Sequence, residues 1–341
     1  MEVQANTRMR DEAAEGGRAV ARFLERNGAA LRGLGDHLRA HPPTMAVTCA
    51  RGSSDHAATY GKYLIETLAG VPVASAAPSV TSIFAAEMQG AGALLIAISQ
   101  SGRSPDLLAT VERYRAGGAY VVALVNDEQS PLAELADCLL PLCAGAETSV
   151  AATKSFIASL AGLAAIAAHW TQRDDLIAAL DTLPTSLDAA AALDWGAMVD
   201  ALSGATNLYV IGRGYGLSVA QEAALKLKET CALHAEAFSS AEVRHGPMTI
   251  VADGFPVLAL ATSDAAGDDV RAAAAEFAAR GAAVLLADGK GGGDLPVAPA
   301  HPVVEPILLI QSFYMAAERL ARARGLDLDN PPFLNKVTRT R

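Results

Sequence analysis

Residues 93–115 read ALLIAISQSGRSPDLLATVERYR: an apolar run, a polar turn, then apolar residues at helical spacing. A continuous apolar run of this length suits a strand covered on both faces, as in a parallel sheet flanked by helices. Ser104-Pro105-Asp106 is a helix start, with serine at the N-cap and proline at the first helical position, where its missing N–H costs nothing. In open parallel sheets, ligands bind beyond the carboxyl ends of the strands, where helix N-termini also point. The turn Ser99-Gln100-Ser101-Gly102-Arg103-Ser104 falls at such a place. Its hydroxyls, its glutamine amide and its unpaired backbone N–H groups could wrap a phosphate without a lysine, with Gly102 letting the backbone approach. Taken locally, the same residues fit a capped strand-to-helix turn equally well. A Walker-type loop is excluded, because no Gly-Lys-Ser/Thr follows.

The pattern occurs twice. From Thr44, TMAVTCARGSSDHAATYGKYLIETLAGVPV gives strand, Gly/Ser turn and helix, and from Asn207, NLYVIGRGYGLSVAQEAALKLKET gives that order again. Arg51 and Arg213 take equivalent places 162 residues apart, and Ser99 and Thr262 correspond at an offset of 163. The second turn, Gly212-Arg213-Gly214-Tyr215-Gly216, invites a dinucleotide reading, but Leu217 stands where its third glycine belongs. Strands alternating with helices through both halves predict two similar α/β domains, each with a parallel sheet. We expect an N-terminal helical arm over 1–43, a first α/β domain over 44–175, a helical connector over 176–199, a second domain over 200–325 and a tail over 326–341. The Gly- and Pro-rich stretch 289–306 reads as a surface loop.

Composition narrows the function classes. The 341 residues are 51% hydrophobic, enough for more than one core. A net charge of -10 with no Lys/Arg stripe argues against a nucleic-acid partner. The longest apolar run, 156–168, is too short to span a bilayer. The four cysteines form no Cys-x-x-Cys pair and read as buried reduced thiols. With no signal-peptide pattern at the start, a cytoplasmic location without membrane attachment is expected. No metal site is expected: His37 and His41 are four apart but lack the glutamate of a His-Glu-x-x-His motif and a third ligand.

Glu222, Lys226 and Glu229 recur at i, i+4 and i+7 of a strongly periodic helix and so share one face. By themselves they could be an exposed charge ladder. His245 lies in the non-helical turn Arg244-His245-Gly246-Pro247, and Lys336 in a basic tail where Pro331-Pro332 stops any helix. His234 has no comparable context and reads as structural.

Taken together, SQSGRSPD, the RGSS turn at 51–54, LKLKE at 225–229, EVRHGP at 242–247 and the terminal NPPFLNKVTRT resemble the double sugar isomerase (SIS) domain family. They look like the isomerase half of glucosamine-6-phosphate synthases and like the free-standing SIS-type glucosamine-6-phosphate deaminases. The likeness runs over nearly the whole chain in the same order. It implies two tandem doubly wound parallel-sheet domains of flavodoxin-like type. By motif match, Ser99, Gln100, Ser101 and Ser104 hold a phosphate and Ser54 helps bind the sugar. Val150 and Ala152, in ETSVAATK at 147–154, match a sugar-lining loop in which the family has serine at the place of Ala152.

The resemblance also implies roles for the acid-base groups. Glu229 moves a proton between C1 and C2 of a sugar phosphate, with Lys226 beside it. His245 opens the sugar ring, reaching the site of the neighbouring subunit of a homodimer. Lys336 forms an imine with the ketose, a known use of a desolvated lysine. No cofactor is called for. Because the chain enters the isomerase-like region soon after its start, no glutamine-hydrolysing domain is expected. The expected activity is deamination of glucosamine 6-phosphate to fructose 6-phosphate and ammonia. The alternatives are ammonia-dependent synthesis, plain isomerisation of another phosphosugar, or a sugar-phosphate sensor without catalysis.

Overall fold

The computed structural model describes residues 6–332 and Lys336. In chain order the regular elements begin with α1 (Arg8–Ala13), α2 (Gly16–Ala40), β1 (Met45–Cys49), α3 (Ser53–Leu64), β2 (Val73–Ser75) and α4 (Pro78–Ser82). They continue with β3 (Ala93–Ser99), α5 (Pro105–Ala116), β4 (Tyr120–Val125), α6 (Pro131–Glu134), β5 (Cys138–Pro141) and α7 (Lys154–Thr171). After α8 (Asp174–Ala191) and α9 (Gly196–Leu202) come β6 (Asn207–Gly212), α10 (Tyr215–Cys231), β7 (His234–Ser239), β8 (Pro256–Ala261), α11 (Ala265–Ala279), β9 (Ala283–Asp288) and α12 (Glu305–Ala323). The chain divides into two compact units. The first comprises Arg18–Ala146 and Ser155–Asp181; the second comprises Thr182–Lys336 with Glu147–Lys154 and the residues before Arg18.

In the first unit five parallel strands lie in the order β2-β1-β3-β4-β5. Every residue of β3 is buried, as a strand covered on both faces must be. Leu95, Ala97, Val121, Ala123, Leu107 and Val111 belong to a core on one side of this sheet. The apolar α7 is packed inside the unit: a Cβ on Gly162 would come within 2.7 Å of the Leu124 side chain. No single described helix is long and apolar enough to cross a membrane. The expected arm is two helices broken at Ala14-Glu15. Asn27 of α2 is buried and its amide donates to the carbonyls of Phe23 and Pro141, at 2.8 and 2.9 Å, tying the helix to the end of β5.

The second unit repeats the order one strand short, as β7-β6-β8-β9, again all parallel. The repeat extends to backbone angles. Gly52 and Gly214, each preceding a helix after the first strand of its sheet, have φ/ψ of 55/-131° and 56/-129°. The arginines before them are used alike: Arg51 pairs with Asp106 and Arg213 with Asp269, the residues 163 apart at the head of α5 and in α11.

Two readings change. The stretch 289–306 is not simply a surface loop: Leu295, Val303 and Val304 are buried, Leu295 bridges Ala287, and α12 already begins at Glu305, with Pro306 in its first turn. Of the four free cysteines, Cys49 and Cys231 are buried, but Cys138 and Cys143 are only partly so.

Candidate functional site

In the first unit, the turns after β1 and β3 lie side by side, because these strands are neighbours in the sheet. This is the point where an order of 2-1-3-4-5 reverses direction, and where such sheets leave a crevice. Ser54 sits in the first turn of α3, and Ser99 to Ser104 fill the β3–α5 turn. Within that turn the Ser99 hydroxyl accepts from the Gly102 amide at 3.0 Å, and the Ser101 hydroxyl accepts from the Arg103 amide at 3.4 Å. Ser104 holds the N-cap position, but its side chain makes no capping bond. Gln100, Ser101 and Ser104 are half-buried, and Ser99 is buried. Asp106 is buried and pairs with Arg51, whose Nε donates to Oδ2 at 2.9 Å.

The reason for Gly102 differs from the expected one. Its φ is +63°, and a Cβ there would lie 2.2 Å from Ser130 Oγ and 2.9 Å from a Val125 methyl. Packing against β4 and the start of α6 demands the glycine; approach to a ligand is not needed to explain it.

The second unit holds the carboxylates. Lys226 is 1% exposed and lies between two acids on its own helix, with Nζ 2.5 Å from Glu229 Oε2 and 3.3 Å from Glu222 Oε1. Glu222 is fully buried and accepts from the hydroxyl of Tyr314, on α12, at 3.0 Å. The spacing therefore makes a buried ion cluster, not a solvated ladder. Burial pushes the Lys226 ammonium toward deprotonation, but the two carboxylates outweigh it, and its pKa lies above the ordinary lysine value. Burial, and then the Glu222 charge, raise the Tyr314 phenol well above its ordinary value, so it remains a donor.

Glu229 is the partly exposed member and lines a cavity of about 520 Å³ with Val150, Ala151, Thr230, Leu328 and Pro331. Val150 thus stands on the cavity wall with Glu229. Ala152 is half-buried and is not among the lining residues.

Sequence reasoning missed how the loop 147–154 is held. Buried Glu12, on α1, accepts from the Thr148 amide at 2.5 Å, the Thr148 hydroxyl at 2.9 Å and the Ser149 amide at 3.1 Å. Lys154, also buried, pairs with Glu15 at 2.7 Å. Glu147 closes the loop by accepting from the Thr153 amide at 3.0 Å, and its other oxygen lies 3.3 Å from Lys336 Nζ. Lys336 is thereby placed at this loop, while Phe333, Leu334, Asn335 and the residues after Lys336 lie outside the described residues. His245 stands apart. It is exposed at the end of the short helical turn Glu242–Arg244 and does not line the Glu229 cavity.

Comparison with known proteins places the chain in a family. The profile of the SIS domain matches residues 44–169 and 201–298. A glutamine–fructose-6-phosphate aminotransferase (isomerizing) of Zymomonas mobilis is 36% identical over 307 residues, covering 84% of this chain and 50% of that protein. The chain spans about half the length of the curated relatives it matches. Among solved structures, a Silicibacter pomeroyi protein provisionally named a phosphosugar isomerase is 44% identical, with a TM-score of 0.90 over 94% of this chain and 99% of that one. The C-terminal domain of the Francisella tularensis glucosamine-fructose-6-phosphate aminotransferase gives 25% identity and a TM-score of 0.84, over 97% of this chain and all of that domain. A glucosamine-6-phosphate deaminase of Thermotoga maritima, at 21% identity and a TM-score of 0.78 over 98% and 100% of the two chains, shares the fold. With the profile lying over both parallel sheets, the chain belongs to the SIS domain family.

Proposed function

We propose that this protein is an aldose-ketose isomerase of phosphosugars that works as a glucosamine-6-phosphate deaminase, releasing fructose 6-phosphate and ammonia. The observation that carries the reading is a carboxylate, Glu229, open to a cavity on one side and held from behind by a buried lysine. Moving a carbon-bound proton to the neighbouring carbon needs one base that can reach both atoms, and a carboxyl open to a cavity can exchange the proton with solvent before returning it. Names of relatives support the substrate class: aminotransferases marked as isomerizing, and a phosphosugar isomerase.

In the proposed reaction the opened amino sugar loses its C2 proton to Glu229, leaving an enolamine. The same carboxyl returns the proton to C1, which leaves a C2 imine. Water then adds to that imine and ammonia departs, giving the ketose. The hydroxyls of Ser99, Ser101 and Ser104, with Gln100, grip the phosphate, and Ser54 contacts the sugar. Lys336, as its neutral amine, takes the place of water at that step: its nitrogen adds to the C2 imine, ammonia departs, and water then hydrolyses the lysine imine to the ketose. His245 serves ring opening, and its exposure suits a residue that works on a second copy of the chain.

Incubation with glucosamine 6-phosphate, with ammonia and fructose 6-phosphate both measured, tests the proposal. Equal release of the two is expected. Interconversion of a neutral phosphosugar without ammonia would reduce the function to plain isomerisation, and tight binding without turnover would make the protein a sensor.

A further inference from the structure

Lys226 and Glu229 belong to one helix, but the group that fixes their arrangement comes from another. Tyr314 on α12 is fully buried, and its hydroxyl donates to Glu222 Oε1 at 3.0 Å; the same oxygen is 3.3 Å from Lys226 Nζ, which is 2.5 Å from Glu229 Oε2. We propose that Tyr314 is a positioning residue for the Glu229 carboxylate, acting through Glu222 and Lys226. Resting on the proton-transfer role given to Glu229 above, this adds a residue that no motif in the chain points to.

Glu222 and Glu229 compete for one ammonium. Two carboxylates share Lys226, and the share each receives depends on how well the other is satisfied. The Tyr314 hydroxyl supplies part of what Glu222 needs, leaving Lys226 free to sit at the shorter distance from Glu229. Without that hydroxyl, Glu222 has two courses. It can draw Lys226 closer, or it can take the proton from Lys226 and become neutral, because an unsatisfied buried anion is costly.

Both courses weaken the positive charge beside Glu229. Both therefore move its titration the same way, to higher pH. The other charged groups around this cluster leave that direction unchanged, since the substitution does not touch them. Lys228 lies on α10, Asp327 in the turn after α12 and Glu147 in the 147–154 loop, the last paired with Lys336.

Tyr314→Phe keeps the ring that fills the space and removes only the hydroxyl. The readout is a carbon-13 titration of the glutamate side-chain carboxyls, with the Glu229 signal assigned by its loss in Glu229→Gln. The midpoint of that signal is expected at higher pH in Tyr314→Phe than in the parent. In a Glu222→Gln background the same substitution should leave the midpoint where Glu222→Gln alone puts it, because the intermediary is gone.

If the enzyme turns over, the acid limb of its kcat/KM profile follows the midpoint, with a loss of roughly 3- to 10-fold on that limb and recovery at higher pH. A purely structural role would lower the rate equally at all pH values. An unmoved midpoint in folded Tyr314→Phe, or an equal shift with and without Glu222, overturns the proposal. Should Tyr314→Phe not fold, Tyr314→Leu, which also lacks the hydroxyl, is read by the same titration and the same criterion. A wild-type protein with no turnover would count against the reading of Glu229 as a base and would leave the titration result to stand or fall separately.

Discussion

Lys226 carries the heaviest electrostatic burden of any residue in the described cluster. Removing it as Lys226→Met would leave the buried Glu222 without its cation, and breaking such a pair from one side typically costs about 3–5 kcal/mol. The expected result is a clear fall in the urea midpoint along with lost turnover; a midpoint within error of the parent would mean that Glu222 is satisfied without Lys226. The thiols make a second residue-scale prediction. Burial pushes Cys49 up to about 12 and Cys231 up to about 11, from an ordinary value of 9.0. A folded-state pKa above the unfolded one means the folded chain holds its proton more tightly. That contribution to stability is complete below about pH 9 and is lost as pH rises through 11 to 12. The raised pKa of Lys226 acts in the same sense. Urea unfolding followed from pH 8 to 11 should therefore show a falling midpoint, and Cys49 and Cys231 should resist a thiol reagent at pH 8 until the protein unfolds. A flat midpoint, or four thiols reacting in the native state, would contradict these assignments.

At the scale of elements, the β3–α5 turn is where sequence and structure agree most closely. Strand, turn and helix start were all legible in 93–115, because a two-sided apolar run and a Ser-Pro start are local signals. Gly102 was legible as a necessary glycine but not for its reason, since Ser130 lies 28 positions away. The same limit hid Tyr314, 92 positions from Glu222, and Glu12, 136 from Thr148. Periodicity reports which residues of one helix share a face; it carries no information on what another helix sets against them. Two predictions belong here. Gly102→Ala combines a positive φ with a backbone-fixed clash and should lower stability by about 1–3 kcal/mol, read from urea unfolding, while weakening phosphate competition. Ser99→Ala with Ser101→Ala should raise KM for the phosphosugar and weaken inhibition by inorganic phosphate together, each lost charge-assisted bond costing about 1.5–3 kcal/mol. An unchanged KM would remove the phosphate assignment from this turn.

At the scale of the whole molecule, the sheets repeat one strand order and one arginine-aspartate pairing, and each unit holds some of the candidate site residues. The serine turn belongs to the first unit, and the Lys226 cluster and the loop of Val150 to the second. The repeat could be read from the offsets of Arg51 with Arg213 and Ser99 with Thr262, because an internal duplication preserves spacing even where residues change. The exposed His245 bears on how sites are shared between copies of the chain. If it completes the site of a second copy in a two-fold dimer, mixing inactive Glu229→Gln and His245→Ala subunits puts both defects into one site of each hybrid and frees the other. With random exchange, about half the dimers are hybrids with one working site, so roughly a quarter of normal activity should return. Hybrids that form without regaining activity would confine His245 to its own chain.

Glu229 is proposed to carry the proton between C2 and C1, and isotope transfer reads this most directly. Glucosamine 6-phosphate is incubated in deuterium oxide with wild-type protein and with Glu229→Gln, and C1 of the fructose 6-phosphate is examined by NMR. Deuterium is expected at C1 with wild-type protein, with a loss on the order of 10²-fold or more in both deuterium entry and ammonia release in Glu229→Gln, while the substrate still binds. Deuterium entering C1 at the wild-type rate in Glu229→Gln would show that another group moves the proton and would remove Glu229 from that role.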